Sequence, residues 1–427
     1  MNNNNTIKKT KIKQQNKNKK TITKKNKREK FEIIQLEIDR NSTPWNLNRY
    51  SSSSSESNND FFFKFPKPDA IKEFLDKYIV GQNTAKRDLA SLTHFHYTTY
   101  NFASSQFQSK KIPLLIGPTG SGKTLMLRYI SEFLNLPYVK VDATTFTPTG
   151  YYGGNFSDCF SDLIRNANYN LEKAERGIIF IDEVDKIIIS NNRNRFDKLS
   201  SGHRTMFELL KILETGTIDI VVRPKGMQYS PFAKSKVFKL KKDGIFFIFS
   251  GAFNGIETIH NEGKFNDSSF NILRNKEPEN SYMNFRKDRM KNDNTNEIEY
   301  SFKDVVQFGM PKEFVGRISS IITFNKLTVP NLIHMLHSTE RPLLDRYIRY
   351  FARNNIELKF SEEATHKIAF WAHKEDFGGR GLHHILDRYI LDLIYFVSVN
   401  PKKIKSIYID KTGLLDLKNI VFTYEKI

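Results

Sequence analysis

A chain of 427 residues and 49.9 kDa, 39% hydrophobic and 27% charged, can bury more than one core, which excludes a single small module and a wholly disordered chain. Its one cysteine, Cys159, excludes an internal disulfide framework and any Cys-rich zinc fold, and points to a reducing compartment, either the cytoplasm or an organelle matrix. The formal net charge of +20 would suggest nucleic acid or an anionic surface if it were spread over a folded face, but residues 1–30 alone hold twelve Lys or Arg against a single acid, Glu29.

Residues 1–68 read as a disordered basic tail and polar linker. The tail has no aromatic and few aliphatic residues with which to offset chain entropy, and the linker carries the run Ser51 to Ser55. Three readings of the tail stay open: an organelle presequence, a basic arm for nucleic acid, or compositional drift toward Lys and Asn. Its shortage of Arg weakens the first. The folded part is expected from residue 69. Ile71 to Leu92 reads as helix, break at Gly81, helix. Strands are expected at Ile112 to Ile116, Tyr138 to Val141, Ile178 to Ile181 and Ile245 to Phe249, with helical stretches between them. After the first strand, Leu125, Met126, Tyr129, Ile130, Phe133 and Leu134 recur on one helical face. Strands alternating with helices argue for an α/β fold with a parallel sheet flanked by helices. The apolar runs are of core-strand length and too short to cross a bilayer as a helix, so no membrane partner is expected.

His260 to Lys303, rich in Asn, Lys, Asp and Glu, reads as a long surface insertion. Residues 69–325 are therefore taken as a large domain carrying that insertion, and 326–427 as a smaller, mainly helical C-terminal domain. Its helices are expected at Pro330 to Phe351, Ser361 to His373 and Leu382 to Val397, and its strands near Ile404 to Ile409 and Ile420 to Tyr424.

Gly117-Pro118-Thr119-Gly120-Ser121-Gly122-Lys123-Thr124 fits the phosphate-loop pattern G-x-x-x-x-G-K-[ST] and sits between a strand and a helix, as the mechanism requires. The glycines let backbone N–H groups wrap phosphate oxygens, and the helix N-terminus adds its positive dipole end. Lys123 would reach the β and γ phosphates, Thr124 would hold Mg²⁺, and Leu125 completes the nucleotide-contacting run. The apolar run Ile178 to Ile181 ends in Asp182-Glu183. A buried strand would bring Asp182 to the metal and Glu183 to a water beside the γ phosphate. Asn325-Lys326-Leu327-Thr328 lacks the acid of a guanine-reading motif, so the expected nucleotide is ATP. The pairs His94 with His96 and His383 with His384 read as helix-surface or packing residues, and no histidine pattern suggests a zinc-protease site.

Taken in order, Leu75 to Gln82, the phosphate loop, Gly150-Tyr151-Tyr152-Gly153, Ala174 to Lys186, Glu313-Phe314-Val315-Gly316-Arg317 and Gly378-Gly379-Arg380-Gly381-Leu382 resemble the ClpX family of AAA+ protein unfoldases from about Asp69 to the C-terminus. HslU, a related unfoldase, fits less well, because it inserts a domain between pore loop and acidic strand. The resemblance implies a homo-hexameric ring that hydrolyses ATP with Mg²⁺ and pulls unfolded or tagged protein substrates through its channel, often into a ClpP-type peptidase, and no protease site within the chain. It implies that Ile79 and Val80 line the adenine pocket. Arg317 would be an arginine finger reaching a neighbouring subunit, and Arg380 a sensor of nucleotide in its own subunit. Gly150 to Gly153 would be the pore loop, with Tyr151 gripping. A guanidinium at either arginine position would stabilise charge developing on phosphoryl oxygens.

Three features depart from that family. The N-terminal four-cysteine zinc domain cannot form with one cysteine, and residues 260–303 contain no aliphatic-Gly-aromatic or -Leu docking tripeptide for the peptidase. A basic pore-entrance loop has no clear match near Arg223 to Tyr229. The alternatives carried are a remodelling chaperone without a peptidase and, from another class, a nucleic-acid motor or loader motivated by the basic tail. Because over half of the net charge sits in that tail and is not spread over a folded face, nucleic acid is the less expected partner.

Overall fold

Continuous apolar runs make the central strands, as expected for strands covered on both faces. The computed structural model describes residues 65–102, 111–146, 156–189, 201–214, 216–222, 236–262, 298–399, 404–414 and 419–424. Two helices come first, α1 (Pro68–Tyr78) and α2 (Asn83–Phe102), broken at Gly81 and Gln82, which both adopt positive φ. Next come β1 (Pro113–Ile116), α3 (Lys123–Leu134), β2 (Tyr138–Asp142), α4 (Phe156–Asn166), α5 (Leu171–Ala174), β3 (Ile178–Asp182), α6 (Val184–Ile189) and α7 (Ser201–Leu213). A hairpin, β4 (Thr217–Val222) with β5 (Lys236–Lys241), precedes β6 (Phe246–Gly251), and α8 (Phe302–Gln307), α9 (Lys312–Val315) and β7 (Ser320–Thr323) complete this part.

Five of these strands form one parallel sheet in the order β2-β3-β6-β1-β7. Every residue of β1, β3 and β6 is buried. Phe180, Phe246, Phe247 and Phe249 are among the largest fully enclosed side chains, each stabilising the fold by about 1.5–3 kcal/mol relative to exposure. All five strands run the same way, so β1 and β3 both end at one edge, where ligand crevices of open α/β sheets lie. The expected strands are thus present. The β4–β5 hairpin and the edge strand β7 are additions to the sequence reading.

A second core, running from Leu327 to Ile420, is built from α10 (Val329–His337), α11 (Leu343–Arg353), α12 (Glu362–Lys374) and α13 (Gly379–Val399) around a three-stranded sheet. In that sheet β8 (Glu357–Phe360) pairs parallel with β9 (Ile404–Ile409), which pairs antiparallel with β10 (Val421–Tyr424). The single helix expected over Pro330 to Phe351 is two. Pro342 stands at the N-cap of α11, where its fixed φ suits a helix start and its missing N–H cannot continue one. Strand β8 was not expected. Ser361 ends it by capping α12, accepting the N–H of Ala364 at 3.0 Å.

Both ends of the expected insertion are tied into the first core. His260 Nδ1 lies 2.8 Å from Asp304 Oδ2, and Ser301 with Asp304 forms a capping box that starts α8. Residues 263–297 lie outside the described residues. Among the described residues, no helix is long and apolar enough to cross a membrane.

Candidate functional site

From β1 the chain passes through residues 117–122 into α3, whose N-cap Gly122 has φ 101° and offers no side-chain cap. The first-turn N–H groups of α3 therefore lack a capping side chain and carry the positive end of the helix dipole. Gly120 has φ 78°, and a Cβ there would stand 2.1 Å from the carbonyl oxygen of Phe377, so glycine is required for the second core to approach. That approach is held by the N–H of Gly379, which donates to the carbonyl of Gly120 at 3.0 Å. Lys123 turns back on its own loop, donating to the carbonyls of Gly117 at 2.5 Å and Pro118 at 2.9 Å. Burial pushes its ammonium pKa down to about 8, against the pull of Asp182 and Asp185.

Across the cavity, Asp182 ends β3 and is 9% exposed. Its Oδ1 accepts the N–H of Glu183 at 3.0 Å, and its Oδ2 pairs with Lys140 Nζ at 2.8 Å. Glu183 adopts φ 62°, the left-handed region, which turns its side chain out of the strand line. Its Oε2 pairs with Lys186 at 2.8 Å, and that hydrogen bond holds the Lys186 ammonium above the usual lysine range. Asp185, 2% exposed, accepts the N–H of Phe253 through Oδ2 at 3.0 Å, tying α6 to the turn after β6. Its Oδ1 is buried with no partner among the described residues.

Lys123, Asp182, Glu183, Asp185 and Lys186 line one cavity of about 1060 Å³, open mouth included. The first core contributes Thr119 to Leu125, Asp182, Glu183, Asp185, Lys186 and Ala252. Tyr78, Ile79 and Val80 come from the end of α1, and Leu327, Met335, Gly379, Arg380 and His383 from the second core. The lining combines apolar side chains, Ile79, Val80, Leu327 and Met335, with cations and carboxylates, a mixture that suits a flat base joined to a charged phosphate chain. Gln82 braces the junction. Its Nε2 donates to the carbonyls of Asn325 at 2.7 Å and Ser121 at 3.3 Å, while its Oε1 accepts the N–H of Asn325 at 2.9 Å.

Of the residues singled out from sequence, Ile79, Val80, Thr119, Gly120, Ser121, Gly122, Lys123, Thr124, Leu125, Asp182, Glu183 and Arg380 share this cavity. Gly117 and Pro118 stand behind it as acceptors for Lys123. Arg317 does not line it and is exposed just after α9. Gly150, Tyr151, Tyr152 and Gly153 lie outside the described residues. His383, read from sequence as a surface or packing residue, instead faces the cavity. Burial, with Arg346 nearby, holds its imidazole pKa below the usual range. Sequence reasoning also passed over Gln82, Lys140, Asp185 and Lys186. Asp185 and Lys186 were visible beside the acidic pair, whereas Lys140 is brought in by strand pairing alone.

The donor set also suits a hard divalent cation. Thr124 and Asp182 offer a hydroxyl and a carboxylate in the same cavity as the phosphate loop. Among the described residues no cluster of three or more His, Cys, Asp or Glu forms a dedicated metal cage. A hydroxyl and one carboxylate are the kind of donors Mg²⁺ takes, its shell being completed by phosphates and water.

Together the strand-loop-helix cradle, the acids at the end of β3, one strand removed from β1, and the parallel sheet define a phosphate-loop nucleoside triphosphatase. Comparison with known proteins refines this. The family described as "AAA domain (Cdc48 subfamily)" matches residues 108–321, and "C-terminal, D2-small domain, of ClpB protein" matches residues 335–399. Among similar curated proteins are those named "ATP-dependent Clp protease ATP-binding subunit ClpX" from Borrelia duttonii (strain Ly) and Borrelia recurrentis (strain A1). Each is 33% identical over 358 residues, covering 82% of this chain and 79% of the relative. The chain belongs to the AAA+ ATPase family and is homologous to its Clp members.

Proposed function

We propose that this chain is an ATP-driven protein unfoldase of the ClpX kind, acting as a ring of six copies that draws unfolded or tagged polypeptides through a central channel. The observation that carries the proposal is a single cavity walled by both cores. Arg380 and Gly379 on α13 face the phosphate loop, and the acids face it from β3. A change in the phosphate chain would then alter how the two cores meet, which is a motion a ring can use for pulling.

In this reading Ile79 and Val80 hold the base, and Lys123 with the loop N–H groups holds the β and γ phosphates. Thr124 and Asp182 would hold Mg²⁺, whose charge offsets that of the phosphates. Glu183 orients and polarises the attacking water. Arg380 reports on nucleotide in its own copy. Arg317, exposed and outside the cavity, is free to reach the γ phosphate of a neighbour, which would make hydrolysis depend on assembly. Tyr151 in the segment 150–153 would grip the substrate through apolar area without sequence preference.

The purified full chain should hydrolyse ATP, assemble with nucleotide and unfold a tagged fluorescent reporter. Glu183→Gln should bind ATP normally while turnover falls by about 10²–10⁴-fold. Full turnover by that variant would reject Glu183 as the water-activating group, and full-speed hydrolysis by solitary chains would reject the assembly. Adding a ClpP-type peptidase separates two outcomes. Reporter fragments indicate docking, whereas an intact unfolded reporter indicates remodelling without a peptidase.

A further inference from the structure

The Lys140–Asp182 pair is a close contact at the site that the proposed chemistry does not use. In the parallel pairing of β2 with β3, Lys140 stands opposite Phe180 and Asp142 opposite Asp182. Residues two apart on a strand share a face, so a long side chain at 140 can reach one pair further along the neighbouring strand. Lys140 does this. Its ammonium passes 5.9 Å from the Phe180 ring centroid and ends 2.8 Å from Asp182 Oδ2. Asp182 Oδ1 is already taken by the Glu183 N–H at 3.0 Å, so each oxygen of this carboxylate has a protein partner. Lys140 does not line the nucleotide cavity, so it reaches the acid from the β2 side and not as a second phosphate-loop cation.

We propose that Lys140 is a positioning residue that fixes the Asp182 carboxylate and, by placing a unit positive charge on it, weakens the grip of the site on the divalent cation that accompanies the nucleotide. The inference rests on the reading of Asp182 as the metal-binding acid. A cation approaching from Thr124 must share Asp182 with an ammonium already in contact. Like charges a few ångströms apart repel strongly in a partly buried site. The repulsion is moderated because the Lys140 side chain is 37% exposed, against 12% for Asp182. The ammonium thus offsets the charge of the acid whenever the metal is away, and it speeds departure of metal with spent nucleotide.

The test is a Mn²⁺ titration of the full-length protein with saturating ADP, followed by the EPR signal of free Mn²⁺, which needs no turnover. Lys140→Met keeps the stem over Phe180 and removes the charge. It should tighten Mn²⁺ by about tenfold, while Lys140→Arg, which keeps the pair, should stay within about twofold of the parent. Lys140→Gln gives the same comparison should the Met variant fail to fold, with melting midpoints of all variants as the check. Unchanged or weaker Mn²⁺ binding in the charge-removed variants overturns the inference while leaving the metal reading intact. Asp182→Asn separates the two. If it binds Mn²⁺ with ADP as tightly as the parent, the assignment of Asp182 falls, and the role of Lys140 falls with it.

Discussion

The two cores that meet at the cavity are built differently. In the first, β1, β3 and β6 are buried at every position, and the phosphate loop and the acids sit directly on their ends. In the second, β8 and β9 mix buried with exposed positions, and the residues offered to the cavity come mainly from helices α10 and α13. A fully enclosed strand end cannot shift without disturbing close-packed neighbours, so it suits groups that must hold phosphate and water in fixed geometry. A helix joined to the phosphate loop by a backbone hydrogen bond can move as a body. Under the proposed function, binding and bond cleavage belong to the first core and transmission to the second.

Four measurements can break or sharpen that contrast. The largest effect is expected from Lys123→Met, which removes the charged donor from the phosphate cradle and should weaken ATP binding by about 100-fold, measured with a fluorescent analogue. If transmission belongs to the second core, Arg380→Ala should also lower kcat by about 10²-fold but leave the ATP Kd within about threefold. A large loss of affinity there would assign binding to both cores. Gln82→Ala removes buried hydrogen bonds to Ser121 and Asn325 and should cost about 1–3 kcal/mol in urea unfolding, with the phosphate loop loosened as well.

The smallest effect is a pH dependence. Burial lowers the Lys123 pKa to about 8 in the free protein, and phosphate oxygens favour the ammonium, so the nucleotide-bound value must be higher. ATP affinity should therefore be flat below that value and weaken above it, by up to about tenfold per pH unit until the bound form also titrates. Lys123→Met should abolish the slope. The same shift acts on folding. A lysine whose folded pKa lies below its ordinary value of 10.5 disfavours the folded state at low pH, and the penalty is relieved as pH rises from about 8 toward 10.5.

Much of this arrangement was legible in the sequence, for physical reasons. Ile178 to Ile181 and Ile245 to Phe249 are unbroken apolar runs because both sheet faces are covered, and that signal survives without any partner strand. The phosphate loop was legible because its glycines, lysine and threonine are contiguous. The β4–β5 pair was hidden, since three of the six residues of Lys236 to Lys241 are lysines and the run carries no clean apolar signal. Strand β8 is four residues long and lies between two expected helices, too short to announce itself, and the Pro342 break, preceded by the polar run Ser338 to Arg341, separates two stretches that each keep a helical apolar period. At the site, Gln82 and Lys140 act across elements far apart in the chain, and no local pattern announces a side chain whose partner is fixed only by sheet register.

Glu183 holds a backbone shape that a side chain with a Cβ adopts at a cost of about 1–2 kcal/mol and that glycine adopts freely. Selection for heat tolerance alone would favour glycine there, and, if Glu183 activates water as proposed, the resulting protein would be sturdier and inert. The acid keeps its place against the local preference of the main chain, so this corner of the molecule records a trade between endurance and work.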